Sequence, residues 1–148
     1  MPDILHKIAA KASPNDTYRA LATERGLAGW WTTDTKGGFD VGGTIVFRFG
    51  DRGHIDMKVL ELAPARRVLW EVVGGPPDWI GTKVSFDLAP EEDFTVVRFK
   101  HQGWKEPSDF MHHCSTKWAT FLMSLKSLLE TGRGAAFPND VHISNRGD

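Results

Sequence analysis

The chain has 148 residues, with 18 Lys and Arg against 19 Asp and Glu, for a formal net charge of −1. That length suits one domain with one core, and the near-balanced charge, with no basic stripe, argues against nucleic-acid or anionic-membrane partners. One cysteine forms no internal disulfide, and no stretch approaches the roughly 18 apolar residues of a membrane span, so a soluble cytoplasmic protein is expected.

The opening segment, ILHKIAAKA, alternates: Ile4, His6, Ile8, Ala10 and Ala12 share one face, with Lys7 and Lys11 on the other, the pattern of a half-buried strand. His6, Lys7 and Lys11 also break the apolar run that a signal peptide needs. SPNDTYRALAT follows, with Ser13 as N-cap, Pro14 at the first helical position and Asp16 in the first turn. A short helix to about Thr23 is expected, with a further turn or two toward Gly29-Trp30-Trp31. KGGFDVGG lacks the Gly-Lys-Ser/Thr ending of a phosphate loop and is taken as a bent connection.

Five strands follow. TIVFRF leads through GDRG into HIDMKVLELA, a hairpin signal. RRVLWEVV comes after an Ala-Pro-Ala turn, and the Pro-Pro pair breaks the chain before GTKVSFDLA. FTVVRFKHQGW is the last, with Val97, Phe99 and His101 facing one way and Arg98 and Lys100 the other. Strands of this one-sided kind, joined by short turns, indicate an antiparallel sheet with a solvated outer face.

A long helix closes the pattern, from N-cap Ser108 to a stop at Gly132. At about 100° per residue, Phe110, Met111, Cys114, Trp118, Phe121, Leu122, Leu125, Leu128 and Leu129 fall on one arc of core-facing width. His112 and His113 fall outside it. Their i+4 neighbours, Thr116 and Lys117, are not metal ligands, so no metal site is expected. Cys114 lies inside the arc, where a thiol is ordinarily a small inert hydrophobe; a nucleophilic role needs a base, and His101 is the inward-facing candidate. Residues 1–134 are expected to form the domain and 135–148 a polar, loosely held tail. The tail's terminal Arg-Gly-Asp is taken as chance.

The order of these elements resembles the START-like superfamily called SRPBCC, and more narrowly the branch named for the activator of heat-shock protein 90 ATPase, which is polyketide cyclase-like. The residues that carry the resemblance are ASPNDTYRALAT, the Gly29-Trp30-Trp31 triplet, VGGTIVFRFGDRG from Val41, VLELAPARRVLWEV from Val59, and FMHHCSTKWATFLMSLKSLLETGRG. The resemblance implies an α+β helix-grip fold: a curved antiparallel sheet wrapped around the C-terminal helix, with short helices after the first strand and a pocket between sheet and helix. It leaves function open, because such folds host carriers, cyclases, hydrolases and co-chaperone domains. The eukaryotic activators carry a further N-terminal domain, which is not expected here.

Six tryptophans and nine phenylalanines in a chain with one tyrosine fit a wall for an apolar ligand as well as a plain core. The leading expectation is a binding protein for a small hydrophobic molecule. Its wall would come from Phe47, Phe49, Met57, Trp70, Phe86, Phe99 and His101 on the sheet, and from Cys114, Trp118, Phe121 and Leu122 on the helix. A second reading is a cyclase-, aromatase- or hydrolase-like enzyme using the same pocket, with His101 as its acid or base. A third is a co-chaperone-like module stimulating a chaperone ATPase through exposed Trp30, Trp31, Trp79 and Trp104. No cofactor is implied, and both a monomer and a homodimer fit.

Overall fold

The alternating first segment forms strand β1 (Ile4–Ala10) in the computed structural model, which describes residues 1–144. Ile4 and Ala10 are buried, while Leu5, Lys7 and Ala9 face water. Ser13 then caps helix α1 (Pro14–Ala22) by accepting the Asp16 N–H at 3.0 Å. The first helical N–H has no intrahelical partner in any case, so Pro14 loses nothing there.

Thr23 joins α1 to α2 (Glu24–Trp30) with a single hydroxyl, which donates to the Arg19 carbonyl at 2.7 Å and accepts the Gly26 N–H at 3.1 Å. The two helices meet closely at Gly26, where a Cβ would stand 2.5 Å from Ala20 Cα. Trp30 fastens the pair by donating its indole N–H to the Ala20 carbonyl at 2.8 Å.

Strands β2 (Asp34–Gly37), β3 (Thr44–Arg48), β4 (His54–Ala63), β5 (Arg67–Gly74), β6 (Lys83–Glu91) and β7 (Phe94–Gln102) complete one antiparallel sheet. Its order is β1-β7-β6-β5-β4-β3-β2, so the first strand closes beside the last. Register shifts in the β4–β5 pairing, after Asp56 and after Val59, bend the sheet. Strand β2 runs into the stretch expected to be a bent connection, sharing Lys36 and Gly37 with it. With four residues and only Thr35 buried, it has too little alternation to register as a strand, and its end at Gly37 needs a φ of +141°.

Helix α3 (Asp109–Thr131) lies across the concave face. Ser108 accepts the Met111 N–H, and left-handed Gly132 donates to the Leu128 carbonyl. The cross-strand pairs Ile4–His101–Val84–Trp70 and His6–Phe99–Phe86–Val68 form inward rows beneath it. Leu122 and Leu125 are fully buried against that core. The fold is the α+β helix-grip arrangement. Among the described residues no helix is long and apolar enough to cross a membrane.

Residues 135–141 of the segment expected to hang loosely are docked. Phe137 exchanges backbone hydrogen bonds with both sides of Thr32: its N–H donates to Trp31 O at 2.8 Å and its carbonyl accepts from Thr33 N at 3.1 Å. Ala135 donates to Ser124 Oγ, and Asp140 pairs with Lys117 at 2.6 Å. The difference arises because this strap has no hydrophobic period; backbone hydrogen bonds hold it, together with side chains such as Phe137 and Asp140. The Arg-Gly-Asp at 146–148 lies outside the described residues.

Helix propensity alone favours Ala over Gly by about 1 kcal/mol inside a helix. Gly26→Ala should nevertheless destabilise the protein by about 1–3 kcal/mol, because the new methyl meets the α1 backbone and not a yielding side chain. Denaturant midpoints of the two proteins decide the sign; a neutral or stabilised variant would contradict the close α1–α2 packing.

Candidate functional site

Steps of three and four residues along the first half of α3 place Phe110, His113, Cys114, Lys117, Trp118 and Phe121 on one face. They form one wall of a cavity of about 440 Å³. The connection from β3 to β4 supplies Phe49, Arg52 and Gly53, the start of β4 supplies His54 and Ile55, and the connection after β5 supplies Gly75, Pro76 and Trp79. Trp31 borders it from the end of α2, and the strap contributes Phe137 and Asp140.

The rings interlock around Trp118. Its centroid lies 5.0 Å from Trp31 and 5.8 Å from Trp79, the latter nearly parallel at 22°. Trp31 also packs on Phe49 at 5.6 Å and on Phe47 at 4.3 Å. Phe49 meets Phe137 edge-on at 5.5 Å, which brings the strap to the cavity mouth.

Behind this wall a hydrogen-bond chain sets the protonation of His101. The Trp118 indole N–H donates to His101 Nδ1 at 3.1 Å, so the imidazole proton sits on Nε2. Nε2 in turn donates to Thr82 Oγ1 at 2.8 Å, and the Thr82 hydroxyl donates to the Trp79 carbonyl. Burial pushes the His101 pKa down to about 3, against a small upward pull from Asp3. The ring is neutral, fully engaged and without a nitrogen to offer a ligand.

Cys114 is equally quiet. Trp79 donates its indole N–H to Cys114 Sγ at 3.4 Å, and burial pushes the thiol up to about 12. A nucleophilic thiolate would need a base in reach, and both His101 nitrogens are committed. Among the described residues no three His, Cys, Asp or Glu side chains gather as metal ligands.

Of the wall residues expected from sequence, Phe49, Cys114, Trp118 and Phe121 border the cavity. Phe47, Met57, Trp70, Phe86, Phe99, His101 and Leu122 face inward as expected, but they are packed into the filled core below it. Parity along a strand identifies the inward face; it carries no information on which inward layer meets a void. The four tryptophans expected at the surface are all buried: Trp30, Trp31, Trp79 and Trp104 are at most 6% exposed. His113, placed outside the apolar arc, turns into the cavity rim and stacks on Phe110 at 10°. Arg52, Trp79, Phe137 and Asp140 were missed as wall residues because they sit in aperiodic connections. A lone Phe in a polar tail and a Trp just after Pro-Pro were the signals available.

The family model for activator of Hsp90 ATPase homolog 1-like proteins matches residues 11–130. Among solved structures, the chain is similar to one described as the Aha1 dimer from Colwellia psychrerythraea. The identity is 50% and the TM-score 0.83, covering 90% of this chain and all of that one. A Staphylococcus saprophyticus protein shares the fold at 17% identity and a TM-score of 0.75, over 91% of this chain and 97% of that one. CalU16 from Micromonospora echinospora shares it at 21% and 0.71, over 88% and 77%. No curated protein sequence matches the chain.

The depressed His101 pKa has a consequence for stability. The unfolded chain takes up a proton near the ordinary imidazole pKa of 6.5, whereas the folded chain does so only at about 3. The stabilisation is therefore complete above pH 6.5 and is lost as pH falls toward 3, at up to about 1.4 kcal/mol per pH unit. His101→Gln should flatten the unfolding free energy against pH between 6.5 and 4.5 by close to one proton. Equal slopes in the two proteins would show that His101 is not held neutral.

Proposed function

The chain belongs to the activator of Hsp90 ATPase homolog 1-like family, and from that premise we propose that it binds a small apolar molecule in the cavity between sheet and helix. The supporting observation is the cavity itself: about 440 Å³, bordered by Trp31, Phe49, Trp79, Trp118 and Phe121, with its polar groups confined to a few positions. This volume lies in the range of small-molecule sites, and the lining matches their usual chemistry of apolar walls and sparse polar handles. Rigid rings suit that role, since they offer large contact areas with little side-chain freedom to lose on binding.

The enzyme reading has less behind it, because His101 and Cys114 are sealed and chemically quiet. The co-chaperone reading loses the exposed tryptophans on which it stood. A homodimer is favoured by one specific observation, the description of the 50%-identical Colwellia psychrerythraea relative as a dimer. Light scattering behind size exclusion should then give twice the chain mass.

The test of binding is titration with a neutral fluorescent probe, N-phenyl-1-naphthylamine. We expect saturable binding with a dissociation constant on the order of micromolar, with quenching of tryptophan fluorescence. Cys114→Phe should place a ring in the void and weaken binding about tenfold or more, with the far-UV circular dichroism retained. A folded Cys114→Phe variant with unchanged affinity, or a native protein that does not bind, would remove the proposal.

A further inference from the structure

The charged groups around the cavity are unevenly engaged. Among the described lining residues Arg52, His54, His113 and Lys117 are the basic groups and Asp140 is the carboxylate, with Asp56 beside His54 and Asp78 near enough to act on the Cys114 thiol. Asp140 is already committed: one oxygen accepts from Lys117 Nζ at 2.6 Å, and the other is buried out of reach. The Lys117–Asp140 pair is close to neutral as a unit. His54 is taken up by Asp56, with Nδ1 and Oδ1 2.8 Å apart.

Two groups remain. The Arg52 guanidinium stands 5.6 Å above the Phe137 ring, which fixes it at the rim without using its donor fork. No carboxylate pairs with it among the described residues. His113 lies flat against Phe110, and its ring nitrogens form no hydrogen bond among the described residues. The whole chain carries a net charge of −1, so an arginine whose donor fork meets no carboxylate among the described residues is a local arrangement, not a reflection of composition.

We propose that the cavity takes an amphipathic anion: an apolar body among the indole rings, and a carboxylate, sulfonate or phosphate head at the rim. Arg52 supplies the forked, charge-assisted hydrogen bonds that such oxyanions accept, and His113 adds a donor or acceptor from the helix side. This rests on the cavity reading above and adds a choice of ligand class to it. Specificity would arise at the rim and grip in the aromatic interior, where the walls are apolar.

Two probes with the same body separate the possibilities. 8-Anilino-1-naphthalenesulfonate carries an anionic head that N-phenyl-1-naphthylamine lacks. We expect the sulfonate to bind about tenfold tighter or more, since hydrogen bonds to charged groups are the strong ones. The ratio should shrink as salt rises, because a rim-exposed charge is screened. Arg52→Gln should bring the two affinities to within about threefold. Arg52→Lys, which keeps the charge and loses the fork, should leave an intermediate gap. If both probes bind the native protein equally, or the neutral one binds tighter, the anion inference falls and the cavity reading stands. If neither binds, both fall. A gap that survives in Arg52→Gln would overturn the role of Arg52.

Discussion

The arrangement of the cavity depends on one hydrogen bond, from the Trp118 indole to His101 Nδ1. It crosses from α3 to β7 and satisfies a buried donor and a buried acceptor at once. An unpaired polar group in such a place costs about 1–3 kcal/mol. By claiming Nδ1 it puts the proton on Nε2, and Nε2 finds Thr82, whose hydroxyl holds the Trp79 carbonyl. The connection after β5 is thereby tied to the sheet, and the Trp79 ring is set beside Trp118 with its own N–H on Cys114. Each polar atom in the relay has a partner, which is the condition under which a buried network rigidifies its surroundings.

Trp31 marks the boundary between what is filled and what is empty. On one side it packs on Phe47 and Trp70, both fully buried, and on the other it meets Phe49, Trp118 and Phe121 at the cavity. Below that level, Phe86, Phe99, Leu122 and Leu125 meet across the sheet–helix interface and leave no exposed surface to speak of. Above it the wall is made largely of rings locked against one another. A flexible aliphatic side chain would relax into a void of this kind to recover lost contacts; an indole held on several sides does not. The void persists because its border is stiff.

The fold was more legible than the site, for a physical reason. Strand alternation in FTVVRFKHQ, the Ser-Pro start of α1 and the apolar arc of α3 are local patterns imposed by local geometry. They placed β7, α1 and α3, with Ser13, Ser108 and Gly132 at the predicted ends. Strand β2 escaped because four residues with one buried threonine make no pattern. Phe86 and Phe49 show the limit at the cavity. Both are phenylalanines of the sheet region, yet Phe86 is interior packing and Phe49, just past the end of β3, borders the void. The distinction depends on what comes over them from elsewhere in the chain, here Trp30 and the strap's Phe137. Likewise the apolar arc left His113 outside the stripe. It could not show that the rim of the cavity would reach round to it.

A proton-transfer group must be reachable and must exchange its proton near the working pH. His101 fails the first condition because both nitrogens are engaged in a fully buried relay, and burial moves it away from the second. Cys114 borders the cavity, but its sulfur accepts an indole hydrogen bond and burial holds it as the thiol. The groups best suited to catalysis by residue type are thus spent on structure. What faces the cavity instead is hydrocarbon and aromatic surface with a sparse cationic rim, which can hold and orient a molecule by complementarity in its ground state. Acceleration would require contacts that strengthen only as charge develops during a reaction. The sheltered relay at His101 therefore fastens helix α3 and the connection after β5 to the sheet, and the two indoles it positions, Trp118 and Trp79, border the cavity.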